Sequence, residues 1–267
     1  MSPATDHPPP GWDCHVHVFD GAAPVAPGHY VPVHRPLREI EATAAAHGIG
    51  HLVLVQPSVY GFDNGVMRRA LEASAGRHRG VAVLPPHVSD SELDALHACG
   101  VRGVRFNLVS PAAPQLDAGA ALQALAPRLR ERGWHVQWYA PPAQLPALVR
   151  WQAATGLVFV LDHLAGSPDH ESEWQAAATL ATTGAWVKLS GWYRLGTEPP
   201  YAALHPAIRR MAALFGHRTV WASDWPHTSF APDRLPPYPS LLQPVRAALG
   251  DAALADLLTT HPRSLYA

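Results

Sequence analysis

Short apolar runs alternate with longer amphipathic or alanine-rich stretches along the chain. Runs rich in valine, leucine and aromatic residues fall at 12–18 (WDCHVHV), 51–56 (HLVLVQ), 80–84, 102–107, 134–139, 157–162, 185–190 and 219–223. Their length and β-branched content predict strands. The stretches 37–47, 64–76, 90–98, 117–132, 143–155, 171–183, 201–214 and 240–258 carry helical spacing. Several have end signals: Ser89 or Asp90 suits the N-cap of the helix ahead of Gly100, Asp63 that of the one ahead of Gly76, and Gly133 and Gly156 follow helical stretches. Strict alternation predicts a parallel sheet covered by helices, and a count of eight favours a closed single-domain (β/α)8 TIM barrel of the α/β class. The competing open, doubly wound sheet calls for a Gly-rich phosphate turn after the first strand, which this chain lacks. The barrel is expected over 12–267, and the polar, Pro-rich segment 1–11 is expected to be disordered or loosely packed.

Composition narrows the function classes. The 267 residues suit one barrel domain, and 48% hydrophobic with 15% charged residues is ordinary for a globular enzyme. A net charge of -1 argues against nucleic acid or a membrane surface as partner. The N-terminus has no basic segment followed by an apolar core, and no apolar run approaches the ~20 residues of a membrane span, so a cytoplasmic protein is expected. Cys14 and Cys99 give no disulfide framework and read as buried thiols. The Pro-rich stretches 196–200 and 226–239 follow predicted strands, where mouth loops sit. Their aromatics Trp192, Tyr193, Trp225, Phe230 and Tyr238 serve either as pocket lining or as surface staples. Seventeen histidines are unusual, and they direct the search for chemistry.

His15 and His17 stand two apart on the first strand, so alternation sends both to one face and Cys14, Val16 and Val18 to the other, toward the helices. An inward imidazole pair can bind a divalent metal or polarise a carbonyl. Alone, such a pair serves structure as readily as chemistry. Asp224, directly after the eighth strand, suits a metal ligand or a general base, and equally the cap of the following turn. His163 ends the sixth strand, with Asp162 alternating to the opposite face as an anchor. Three strand ends presenting His or Asp together point to a site.

These residues sit in motifs that span nearly the whole chain: WDCHVHVF (12–19), HYVP (29–32), VQPSVYGFDN (55–64), GVRGVRFN (100–107), GWHVQWY (133–139), LDHLAG (161–166), VKLSGWYRL (187–195), WASDWPH (221–227) and HPRSLYA (261–267). In combination they resemble the amidohydrolase superfamily, in the branch of 2-pyrone-4,6-dicarboxylate lactonase and related sugar and muconolactone lactonases. The resemblance implies that Asp224 is the general base for the attacking water, and that His15, His17 and His163 surround and polarise the lactone carbonyl. It further implies that Arg105 and Arg194 bind a substrate carboxylate, and that Tyr30, Ser58 and Tyr139 belong to the substrate-binding pocket; Asn107 on the fourth strand is a further substrate-binding candidate.

Two departures limit the substrate. Where the pyrone-dicarboxylate enzymes carry a further arginine shortly after RFN, this chain reads LVSPAAP, and where they close DHMGR it reads DHLAG and then Ser167. Each missing charge-assisted fork is worth roughly 1.5–3 kcal/mol. A less anionic lactone, such as a sugar-acid lactone, with at most one or two carboxylates, is therefore expected. A two-metal site needs a bridging ligand that the fourth and fifth strands, with Arg105, Asn107, Gln137 and Tyr139, do not supply. Lys188, the one lysine, reads as barrel packing or an internal ion pair. No cofactor is favoured; the alternative is one Zn2+ or Mn2+ held by His15, His17, His163 and Asp224. The alternative activities are a metal-dependent decarboxylase of the same superfamily and a non-catalytic binding barrel. A homo-oligomer remains open.

Overall fold

The computed structural model describes residues 8–26, 30, 32–228 and 230–267. Most of the 1–11 segment, and two positions of the HYVP motif, therefore lie outside the described residues. Eight parallel strands run in one sheet in chain order: β1 (Gly11–Val16), β2 (Ile49–Val55), β3 (Arg79–Ala82), β4 (Val101–Asn107), β5 (His135–Tyr139), β6 (Phe159–Leu161), β7 (Trp186–Leu189) and β8 (Thr219–Trp221). The sheet closes beyond β8: the Asp224 amide donates to the His15 carbonyl at 3.0 Å, the His17 amide donates to the Trp225 carbonyl at 2.8 Å, and Val16 bridges Trp225 in parallel. The expected TIM barrel is the fold.

The helices follow the predicted stretches: α1 (Leu37–Ala45), α2 (Gly65–Ala73), α3 (Asp90–Ala98), α4 (Ala118–Glu131), α5 (Leu145–Thr155), α6 (Glu171–Thr182) and α7 (His205–Phe215). Ser89 caps α3 by accepting from the Glu92 amide at 3.2 Å, and Asp63 accepts from the Gly65 amide at 2.9 Å where α2 begins. The single helix expected over 240–258 is instead α8 (Gln243–Leu249) and α9 (Asp251–Leu258), with α10 (Thr260–Tyr266) after them. Gly250 breaks it, with φ 86°, a conformation side chains with a Cβ rarely adopt.

The outer layer buries the outward faces of the strands (Leu52, Leu54, Val104, Phe106, Trp138, Leu161, Val187) against the helices. A second apolar cluster fills the barrel: Cys14, Val53, Val55, Val81, Val160 and Val220, with Tyr266 stacked on Trp12 at the lower end. Cys14 thus faces the interior and not the helical layer. The reason is a bulge: between the pairs Asp13↔Leu52 and Val16↔Leu54, two β1 residues oppose one of β2. The extra residue turns both Cys14 and His15 inward.

Candidate active site

The polar floor of the barrel is assembled by β1, β4, β5 and β7 together with Asp162, directly after β6. Lys188 on β7 is completely buried; its ammonium donates to the Cys14 carbonyl at 2.9 Å and to Gln137 Oε1 at 2.7 Å, and lies 3.4 Å from Asp162 Oδ1 and from His15 Nδ1. Asp162 Oδ2 accepts from Arg105 Nε at 3.3 Å and Gln137 Nε2 at 3.0 Å. Burial alone would raise the Asp162 carboxyl, but the Lys188, His15 and Arg105 charges together hold it well below the usual carboxylate range. Lys188 is thus the internal ion pair that the sequence suggested, and Asp162 the anchor.

Asp162 does not turn away from His163, as strand alternation predicts; both reach the interior. The chain leaves β6 through three successive left-handed residues, His163 (φ 51°), Leu164 (φ 53°) and Ala165 (φ 54°), and so abandons the pleat. Such backbone is strained and persists only where its surroundings hold it. Here His163 Nδ1 bonds Ser190 Oγ at 3.0 Å, and the ring lies against Gly191, where a Cβ would stand 2.3 Å from Nδ1.

Asp224 is 1% exposed and also left-handed (φ 61°). Its Oδ2 accepts from Tyr193 Oη at 2.6 Å and from the Arg194 guanidinium. Its Oδ1 has no hydrogen-bond partner and lies 3.7 Å from His15 Nε2 and 3.6 Å from His17 Nε2, while His163 Nε2 is 3.9 Å from Oδ2. Burial would raise this carboxyl too, yet Arg194, and then His163, keep it well below the carboxylate range, so it is ionised at neutral pH. Burial lowers His15 well below 6.5 and His163 to about 4, leaving both rings neutral.

Above this floor lies a cavity of about 270 Å3 at the mouth, lined by His17, Tyr30, Ser58, Arg105, Asn107, Tyr139 and Arg194, with Val109, Ser110 and Pro111 on its rim. All seven of those polar and aromatic residues were expected at the site. His15, His163 and Asp224 lie beneath, shielded by Arg194. Asn107 donates to Ser58 Oγ at 2.8 Å, and its Oδ1 accepts from the amides of Val109 and Ser110, so it shapes the rim loop. Of the mouth aromatics, Trp192 and Trp225 are buried core, and Tyr238 is buried with its hydroxyl on Asp13 at 2.8 Å. Tyr193 covers Asp224. That role went unread in the sequence, where its place beside Arg194 was the one available signal.

Two tautomers satisfy the histidine cluster. In one, Lys188 donates to His15 Nδ1, His15 Nε2–H donates to His17 Nε2 across 3.3 Å, and His17 Nδ1–H donates to the Val55 carbonyl at 2.8 Å. That chain accounts for every ring nitrogen of His15 and His17 without a metal ion. In the other, His15 Nδ1–H turns to Asp162 Oδ1 at 3.3 Å. The lone pairs of His15 Nε2, His17 Nε2 and Asp224 Oδ1 then converge. His15, His163 and Asp224 also offer ligand atoms within 4.8 Å of one another, so the residues fit one divalent cation.

The buried imidazoles make stability pH-dependent. His163, His227 and His78 are lowered to about 4 and His135 to about 3, in each case chiefly by burial. Between 6.5 and 4 the unfolded chain therefore binds more protons than the folded one, and stability falls with pH across that window. Asp13, raised to about 6 by burial, acts in the opposite sense but is one group against four. Thermal melts at pH 7, 6, 5 and 4 are expected to show a progressive drop in Tm; a flat profile would contradict the neutral, buried rings.

The amidohydrolase family profile matches residues 12–267. The chain is 32% identical over 274 residues to the 2-pyrone-4,6-dicarboxylate hydrolase of Comamonas testosteroni, covering 95% of this chain and 89% of the relative. It is 32% identical over 276 residues to the 4-sulfomuconolactone hydrolase of Rhizobium radiobacter, covering 97% and 90%. Among solved structures, a probable 2-pyrone-4,6-dicarboxylic acid hydrolase of Acinetobacter baumannii with citric acid bound superposes with a TM-score of 0.85 at 28% identity, covering 96% of this chain and 99% of that one. With the barrel, the strand-end cluster and a match from the first strand to the last residue all in agreement, the chain belongs to the amidohydrolase family.

Proposed function

We propose that this protein is a lactone hydrolase, carrying out metal-independent hydrolysis with Asp224 as the base. The observation that carries this reading is the half-free carboxylate: Oδ2 is immobilised by Tyr193 and Arg194, while Oδ1 is buried, unpartnered and turned to two imidazoles. A water held on Oδ1 is poised to attack an acyl carbon above it. Its oxygen bonds to that carbon, Asp224 takes the proton, and the Nε2–H groups of His15 and His163 stabilise the oxyanion, with His17 orienting the His15 ring. The ring C–O bond then breaks, and the proton passes to the leaving alkoxide. Because Asp224 is held strongly acidic, it is a weak base; carbonyl polarisation must lower most of the barrier.

Charge selects the substrate. Around the floor, the cations Lys188, Arg105 and Arg194 face the carboxylates Asp162 and Asp224, which leaves one net positive charge. One substrate carboxylate, met by Arg105 and Arg194, balances it. The rim that the Val109, Ser110 and Pro111 side chains present carries no charge for a second. The relatives named above act on small anionic lactones, and one holds citrate; both fit a carboxylate-binding mouth.

The orphaned Oδ1 also favours a second reading, in which His15, His17, His163 and Asp224 hold one Zn2+ or Mn2+. Such an ion would supply Lewis-acid polarisation and a more acidic water. The test is a screen of sugar lactones, muconolactones and pyrone dicarboxylate, with and without chelator, alongside elemental analysis. Turnover that survives chelation of metal-free protein is expected. Loss of turnover that one equivalent of Zn2+ or Mn2+ restores would move the assignment to the metal site, and no ring opening in any arm would overturn the lactonase reading.

A further inference from the structure

The mouth cavity does not end at Arg194. It adjoins a second chamber of about 150 Å3, and Tyr30 and Thr228 line both. The chamber walls are largely apolar: Phe19, Pro32, Val33, Pro226, Phe230 and Leu235. Its one cation, among the described residues, is Arg35, whose guanidinium is already paired with Glu39. His227, 2% exposed with Nδ1 unpartnered, and Tyr30 are its other ionisable wall residues among those described. The mouth is therefore two-sided, with the Arg105 cation at the β4 wall and a largely apolar pocket beside the segment that follows β8.

An apolar space of roughly 150 Å3 is large enough for a benzene-sized group, and water gains few hydrogen-bond partners there. Against six apolar walls, with Tyr30, Arg35, His227 and Thr228 the polar groups among the described lining residues, a polyhydroxylated or second anionic arm would lose more hydration than it regains. Resting on the lactonase reading, we infer that this chamber is a substrate subsite for an apolar substituent, a short alkyl chain or one aromatic ring, on a lactone whose single carboxylate is held by Arg105. The sugar-acid lactone suggested by the missing arginines then fits less well than an alkyl- or aryl-substituted one, because the chamber offers hydroxyl groups little to bond.

The experiment is a series of lactones that share one ring and one carboxylate and differ in a single substituent: hydrogen, methyl, propyl, phenyl or a second carboxylate. In kcat/KM each added methylene is expected to contribute about fourfold until the chamber is full. The dicarboxylate is expected to fall below the propyl compound. Leu235→Trp should move the optimum to smaller substituents and Leu235→Ala to larger ones, with circular dichroism confirming that both fold. Calorimetric binding of the corresponding ring-opened hydroxy acids should carry the same increments without turnover. Turnover with a flat or falling series, or Leu235 variants that leave the size preference unmoved, overturns the chamber and keeps the hydrolase. Binding increments with no ring opening keep the chamber and overturn the hydrolase.

Discussion

Asp224→Asn is expected to lower kcat by about 10^2–10^4-fold, the range for loss of a positioned general base, with KM changed much less. The substitution keeps the shape and leaves an amide that Tyr193 can still reach, so the barrel should fold. Asparagine cannot take the proton from water, and the charge that opposed Arg194 is gone. Arg194 borders the open cavity and can be solvated there, so its release costs little stability. The measurement is steady-state kinetics on whichever lactone the screen identifies, with thermal denaturation to confirm the fold. A variant with near-normal turnover would remove Asp224 from the mechanism.

Lys188→Met is expected to be the most destabilising single change near the site, by about 3–5 kcal/mol, the usual consequence of stranding one member of a buried ion pair. For a chain of this size that corresponds to a Tm lower by roughly 10 °C. The removed ammonium serves three partners at once: the Cys14 carbonyl, Gln137 Oε1 and Asp162, all inside the barrel. Its loss leaves Arg105 as the remaining cation on Asp162 and draws Arg105 away from the cavity. It also frees His15 Nδ1 to donate to Asp162, which favours the cation-binding tautomer. The double variant Lys188→Met, Asp162→Asn removes both charges and should recover much of the stability. If the single variant melts like the parent, the pair does not hold the floor together.

The reach of the sequence differs from one residue to the next. The strands, the order of the helices and the residues at the strand ends were legible because apolar periodicity and end signals are local. His15, His17, His163 and Asp224 could be singled out as His or Asp at the C-terminal ends of strands. Arg105, Arg194, Tyr30, Ser58 and Tyr139 came from resemblance, and each lines the cavity. The orientation of Cys14 and Asp162 was misjudged because strand alternation assumes a regular pleat. A bulge in β1 and a left-handed turn after β6 break that rule; no glycine or proline marks the bulge, and Gly166 stands at the end of the turn, after its three left-handed residues with side chains.

By itself, then, the sequence determined the eightfold alternation, the barrel that follows from it and the kinds of side chain delivered to its mouth. Tertiary structure decided how those side chains share their charges. Closure of the sheet joins the Asp224 amide to the His15 carbonyl across more than two hundred residues, and only that contact sets the carboxylate against both imidazoles. Burial then makes each pairing consequential: in a low-dielectric interior every charge needs a partner, so Lys188 is committed to Asp162, and Tyr193 with Arg194 to one oxygen of Asp224. The other oxygen is left free. That asymmetry depends on distances between strands that are remote along the chain, which no local pattern encodes.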